Sequence, residues 1–175
     1  NKEKFLNSIN YFLKSDDISI LKINKKNLKF HSRFSAKYRM YEYIIINRQS
    51  KLSIDLDRAW HIKKRLSLTL MKKGASILQG THDYSLFRSS SCGATSPIRT
   101  IKKISVIKKN DKIILSFTSR SFLQQQVRSM VGCLKYLGEK KWTLKQFKKN
   151  FKSKKRSNCA PPAPPYGLFL AEIKY

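Results

Sequence analysis

Of the 175 residues, 41% are apolar, including ten Phe and eight Tyr, which is enough for a packed interior and excludes a disordered chain. Thirty-eight Lys and Arg against ten Asp and Glu set the formal net charge at +28, a field that draws polyanions, RNA foremost, because so many aromatics stand ready to stack on bases. No apolar run approaches the ~20 residues of a membrane span. The three Cys and three His are scattered, without metal-ligand spacing, so no structural metal is expected and a reducing cytoplasm fits best.

Apolar spacing predicts an amphipathic helix over residues 4–14, ended by Ser15-Asp16-Asp17. Ile18 to Ile23 reads as a short strand and 25–28 as a polar loop. The clearest strand is 37–47, with Arg39, Tyr41, Tyr43 and Ile45 on one face and Tyr38, Met40, Glu42, Ile44 and Ile46 on the other. Residues 48–66 are irregular, anchored by Trp60. A helix follows over 66–79, with Gly80 at its C-terminal cap. A Ser-rich loop is expected over 81–99, then a hairpin of 100–108 and 112–119 around Asn110-Asp111. The strongest helix spans 121–137. Thr143 caps a short helix through Phe147 and Phe151. Basic and then Pro-rich sequence leads to a last strand over 168–175. This mixture of helices, strands and hairpins predicts an α+β fold: a mixed, largely antiparallel sheet with helices on one face.

Four segments carry a resemblance. They are Phe30-His31-Ser32-Arg33-Phe34-Ser35-Ala36 leading into Arg39-Met40-Tyr41-Glu42-Tyr43; His82-Asp83-Tyr84-Ser85-Leu86-Phe87-Arg88 with Cys92 and Arg99-Thr100-Ile101; Phe122-Leu123 with Val127-Arg128-Ser129-Met130-Val131-Gly132; and Arg156 with Ala163-Pro164-Pro165-Tyr166-Gly167-Leu168-Phe169-Leu170. In order and spacing they resemble the TruA family of tRNA pseudouridine synthases. The resemblance implies the pseudouridine synthase fold of two ferredoxin-like halves. Residues 1–35 would be the end of the first half, and 36–175 the second half with its pocket Tyr and Arg. It implies isomerisation of uridine to pseudouridine in the tRNA anticodon stem-loop, by a cytoplasmic homodimer that needs no cofactor or metal and binds tRNA in basic clefts.

The departures are specific. The family nucleophile is an aspartate within Gly-Arg-Thr-Asp-Ala-Gly, upstream of the first segment; none of Asp16, Asp17, Asp55, Asp57, Asp83 and Asp111 has that context. With Asn1 rather than Met leading, the chain is expected to be a fragment or processed product whose aspartate lies upstream, and to be inactive alone. Gln124-Gln125-Gln126 replaces a family His-His-Met, and Cys159-Ala160-Pro161-Pro162 a family Ala-Gly-Pro-Thr. The competing expectation is a catalytically inactive RNA-binding relative.

Read by itself, Tyr41 is a strand tyrosine of the core; the resemblance makes it a pocket residue stacked near the uracil. A phenol can both stack and donate. Arg128 lies beside Val127 on a helix, where a cation is costly to bury unpaired. The resemblance makes it the partner that keeps the catalytic carboxylate ionised; otherwise it is one more solvated cation. Leu168 resembles the leucine that covers the uracil from the other side, and Arg39 lies in the same pocket. Arg33, Arg88 and Arg99 are candidate RNA-backbone contacts. His31 reads as structural, and the Lys-rich stretch from Lys145 to Arg156 as a solvated face that can also lie along RNA backbone.

Overall fold

A computed structural model describes all 175 residues, which divide into two compact units, Asn1–Ser35 and Ala36–Tyr175. In the first unit α1 (Lys2–Phe12) is capped by the Asn1 side chain, which accepts from the Glu3 amide at 3.0 Å. The stretch expected as a strand at 18–23 forms no strand and joins no sheet. Its backbone is held instead by Asn10, whose carboxamide donates to the Ile20 carbonyl (2.9 Å) and accepts from the Ile20 amide (2.8 Å). In the family-like segment, His31 Nδ1 accepts from the Arg33 amide at 3.1 Å and its ring meets Phe34 at 4.4 Å.

The second unit is one six-stranded sheet with three helices. Its elements are β1 (Tyr38–Ile46), β2 (Trp60–His61), α2 (Leu68–Ile77), β3 (Gly80–Asp83), β4 (Ile98–Lys109), β5 (Lys112–Ser119), α3 (Gln126–Gly138), α4 (Leu144–Ser153) and β6 (Leu168–Lys174). The sheet order is β2-β1-β5-β4-β3, and β6 shares with β2 the free edge of β1. Every pairing is antiparallel except β1 with β2. The β4–β5 hairpin turns at Asn110 with φ of 53°, as a two-residue connection between twisted strands requires. Alternation buries Ile113, Leu115, Phe117 and Ser119 of β5 on one face. There, with Tyr43 and Ile45, they meet Met71 and Ala75 of α2, Met130, Leu134 and Leu137 of α3, and Phe147 and Phe151 of α4. The opposite face carries a smaller cluster of Ile46, Leu52 and Ala59.

Two boundaries differ from the sequence reading. β3 lies inside the expected Ser-rich loop, opened by Gly80 rather than closed off by it as a helix cap. The helix expected from 121 begins at Gln126, because Gln125 adopts left-handed backbone (φ 64°, ψ 0°), which the preceding residues cannot continue as a right-handed helix.

At the C-terminal end of α3, Glu139 is only 7% exposed and accepts charge from Lys135 (2.8 Å) and Lys141 (3.2 Å). Lys135 in turn lies over the Trp60 ring at 5.4 Å. Burial works to raise the Glu139 pKa, but the hydrogen bonds and charges of the two lysines outweigh it and hold the carboxyl below the ordinary value. Glu139→Gln is therefore expected to cost about 2 kcal/mol at pH 7, chiefly by leaving the largely buried Lys135 ammonium unmatched. A depressed folded pKa contributes stability that is present above the unfolded value, about 4.3, and lost as pH falls through the folded one. Urea melts of the two proteins should differ at pH 7 and draw together as pH falls below the unfolded value; a gap that does not narrow at all on acidification would contradict the ion-pair account.

Candidate active site

β1 presents Tyr41 and Tyr43 on the face that α3 covers. Antiparallel pairing sets Leu170 opposite Tyr41 and Leu168 opposite Tyr43, so these four side chains share one face. Toward Tyr41 the cover thins: Tyr41 is half-buried, Leu170 is 49% exposed, and Phe122 meets the Tyr41 ring edge-on at 5.3 Å. Toward Tyr43 it closes. The Tyr43 hydroxyl is buried and donates to the Pro164 carbonyl at 2.8 Å. Burial, then the nearby Tyr166 phenol, push the Tyr43 pKa well up, against a smaller opposing pull from Arg128. Gly167 is required here: a Cβ would stand 2.8 Å from the Tyr43 ring and 2.9 Å from the Ile44 carbonyl oxygen.

Arg128 enters from the first turn of α3. Its backbone carbonyl accepts from the Ala163 amide (3.0 Å), its Nε donates to the Ala163 carbonyl (2.6 Å), and its Nη1 donates to Gln125 Oε1 (2.8 Å). It forms no ion pair. A guanidinium held by neutral acceptors at the positive end of a helix is a place prepared for an anion. None of the chain's own carboxylates fills it. Asp55 pairs with Lys112 and Asp111 with Arg48, at the opposite end of the sheet, and Asp83 pairs with Lys154.

The loop before β6 is bound to α3 at more than one point. Gly132 lies so close to it that a Cβ would overlap the Pro161 carbonyl oxygen. Cys133 Sγ and Cys159 Sγ, far apart in sequence, stand 3.5 Å from each other as free thiols. Arg156 donates to Ser129 Oγ (2.9 Å) and the Leu86 carbonyl (3.2 Å).

The other sequence-predicted arginines have distinct placements. Arg39, two residues before Tyr41, donates to the Arg120 carbonyl at 2.6 Å. Arg99 lies toward the same end of the sheet, since Ser119 pairs with both Arg39 and Ile101, and it donates to the Ser96 and Ile98 carbonyls. Arg88 Nη2 donates to the Cys92 and Ala94 carbonyls, ordering a loop whose Ser89 amide donates to Gln124, just before α3. Arg33 belongs to the first unit, where its guanidinium lies 5.7 Å from the Phe34 ring centroid. The structure thus gathers Tyr41, Leu168, Arg39 and Arg128 around β1, the start of α3 and the loop before β6. Gln125 and Ala163 hold Arg128 and Phe122 meets Tyr41; the sequence reading named all three only as motif positions and gave none of them a role. Periodicity carries no signal for a backbone acceptor or for a left-handed residue. No three His, Cys, Asp or Glu side chains gather anywhere.

Comparison with known proteins gives one consistent result. A family model described as tRNA pseudouridine synthase matches residues 75–175. A tRNA pseudouridine synthase A of Pelagibacter ubique is 57% identical over 175 residues, covering all of this chain and 71% of that protein. Proteins of the same name from Ehrlichia chaffeensis (41% identical, 97% of this chain and 69% of theirs) and Maricaulis maris (38% identical, 99% and 70%) are similar over the same extent.

Proposed function

The chain belongs to the tRNA pseudouridine synthase family, and we propose that the site built by Tyr41, Arg128 and Leu168 performs that family's reaction, isomerising uridine to pseudouridine in the anticodon stem-loop of tRNA. The observation that carries the assignment of roles is Arg128: a guanidinium with two neutral hydrogen-bond partners and no carboxylate, anchored to the loop that leads into β6.

The chemistry explains why these groups belong together. The N1–C1′ glycosidic bond breaks, the uracil turns, a C5–C1′ bond forms, the C5 proton leaves, and N1 takes up a proton, so the product is an isomer of the substrate. No oxidation state changes, so no redox cofactor is called for. A carboxylate must stay ionised beside the ribose, and Arg128 at the helix start favours the charged form by Coulomb attraction and hydrogen bonding. In this reading the carboxylate comes from outside residues 1–175. The target uridine must leave its stack, at a cost of a few kcal/mol, and contacts in the pocket offset that cost. Tyr41 supplies a stacking face with a polar tip and Leu168 the opposing apolar cover. In this reading Arg39, Arg99 and Arg88 meet phosphates around an extruded base. The same reading makes residues 1–35 the end of a preceding half, Arg33 a further phosphate contact, and the working protein a cytoplasmic homodimer. No helix is long and apolar enough to cross a membrane.

The test is tritium release from unmodified tRNA labelled at uridine C5. The complete protein is expected to release tritium, and the 175 residues alone none. Turnover by the 175 residues would place the nucleophile wrongly. RNA binding without release by the complete protein would replace the enzyme with an inactive RNA-binding relative.

A further inference from the structure

Gln125 occupies a position that ordinarily serves the helix. As the residue before the first turn of α3 it stands where a short polar side chain caps the free amides of that turn, yet its side chain makes no capping bond. Its backbone is left-handed, φ 64° and ψ 0°, a conformation that costs a non-glycine residue about 1 kcal/mol or more. A glycine would hold that backbone without strain. What the glutamine adds is one contact: its Oε1 accepts from Arg128 Nη1 at 2.8 Å. Ala163 holds Nε, and Nη2 has no protein partner. The guanidinium plane is thereby fixed at two of its three nitrogens.

We infer that Gln125 is a positioning residue for Arg128, a neutral acceptor that fixes the guanidinium so that its remaining donors face the catalytic carboxylate. The inference rests on the role proposed above for Arg128. The choice of side chain carries chemical content. A carboxylate at 125 would neutralise Arg128 and compete for it. A histidine, the residue found at this place in the resembling motif, accepts only while neutral, whereas a carboxamide accepts at every pH. Gln125 thus frees the site from a titration near neutrality.

The experiment compares Gln125→Gly, Gln125→Ala and Gln125→His in the complete protein, measuring kcat and KM for tRNA from pH 5.5 to 8.5, with Arg128→Ala alongside. Gln125→Gly keeps the left-handed backbone without strain and removes only the acceptor. It is expected to lose about tenfold in kcat with KM little changed, and Gln125→Ala at least as much. Gln125→His is expected to approach the parent rate at pH 8 and to gain an acid limb near pH 6 that the parent lacks, as the protonated imidazole turns from acceptor to donor. A Gln125→Gly protein with parental kcat, or a Gln125→His protein with the parental pH profile, overturns the inference. If Arg128→Ala itself retains turnover, the failure belongs to the site assignment instead.

Discussion

Replacing Arg128 with alanine in the complete protein is expected to lower turnover by about 10³-fold or more while tRNA affinity changes little. The magnitude follows from what the guanidinium faces. It sits in the first turn of α3 with two neutral acceptors and no ion pair, so its charge is uncommitted and, in the proposed site, available to a carboxylate. Removing a preorganised charge aimed at a reacting centre typically costs 10²–10³-fold, and in the proposed site the lost group would also favour the ionised nucleophile. Affinity is insulated because it is spread over many cations: Arg128 is one of 38, and each phosphate contact contributes about one unit to the salt slope. Arg128→Lys should recover little, since an ammonium cannot span the Ala163 carbonyl and Gln125 together. Single-turnover tritium release and filter binding over a salt series decide it. Loss of tight binding with turnover preserved would make Arg128 an RNA-backbone contact and nothing more.

The second large effect is structural. Gly132→Ala is expected to destabilise the fold by about 3 kcal/mol and to lower Tm by about 10 °C, because the new methyl would overlap the Pro161 carbonyl oxygen. The clashing partner is backbone, so no rotamer change relieves it, and either α3 or the loop must move. Any such movement separates Ala163 from Arg128, and turnover should fall beyond what the fraction unfolded explains. Gly93→Ala is the control, since a Cβ there meets nothing within 4 Å. Thermal melts and kcat for both variants check the pair. Equal Tm values would mean that the loop yields freely and that the close packing is not what holds the site.

What was legible in the sequence follows from which forces leave a mark on residue type. The alternation from Tyr38 to Ile46 is a burial pattern, so β1 and the faces of Tyr41 and Tyr43 were readable. Asn110-Asp111 marked its hairpin because few residues accept a positive φ. β3 escaped because Thr81 and His82 are not deeply buried; pairing to β4, not burial, makes it a strand. Ile18 to Ile23 was misread for the converse reason: its composition suits a strand, but no partner strand is present. Tyr41, Arg128 and Leu168 entered the candidate site through motif resemblance. What holds Arg128 did not, because Ala163 acts through its carbonyl, which every residue possesses, and Gln125 through a side chain carried on a left-handed backbone that no spacing rule foresees.

The loop before β6 is fastened to the helix by Ala163 and by contact at Gly132, and to the sheet by the Tyr43 hydroxyl on Pro164. Tied on both sides, this stretch of chain inherits the stiffness of the packed elements it joins and has little give of its own, so whatever seats against it must do the adapting.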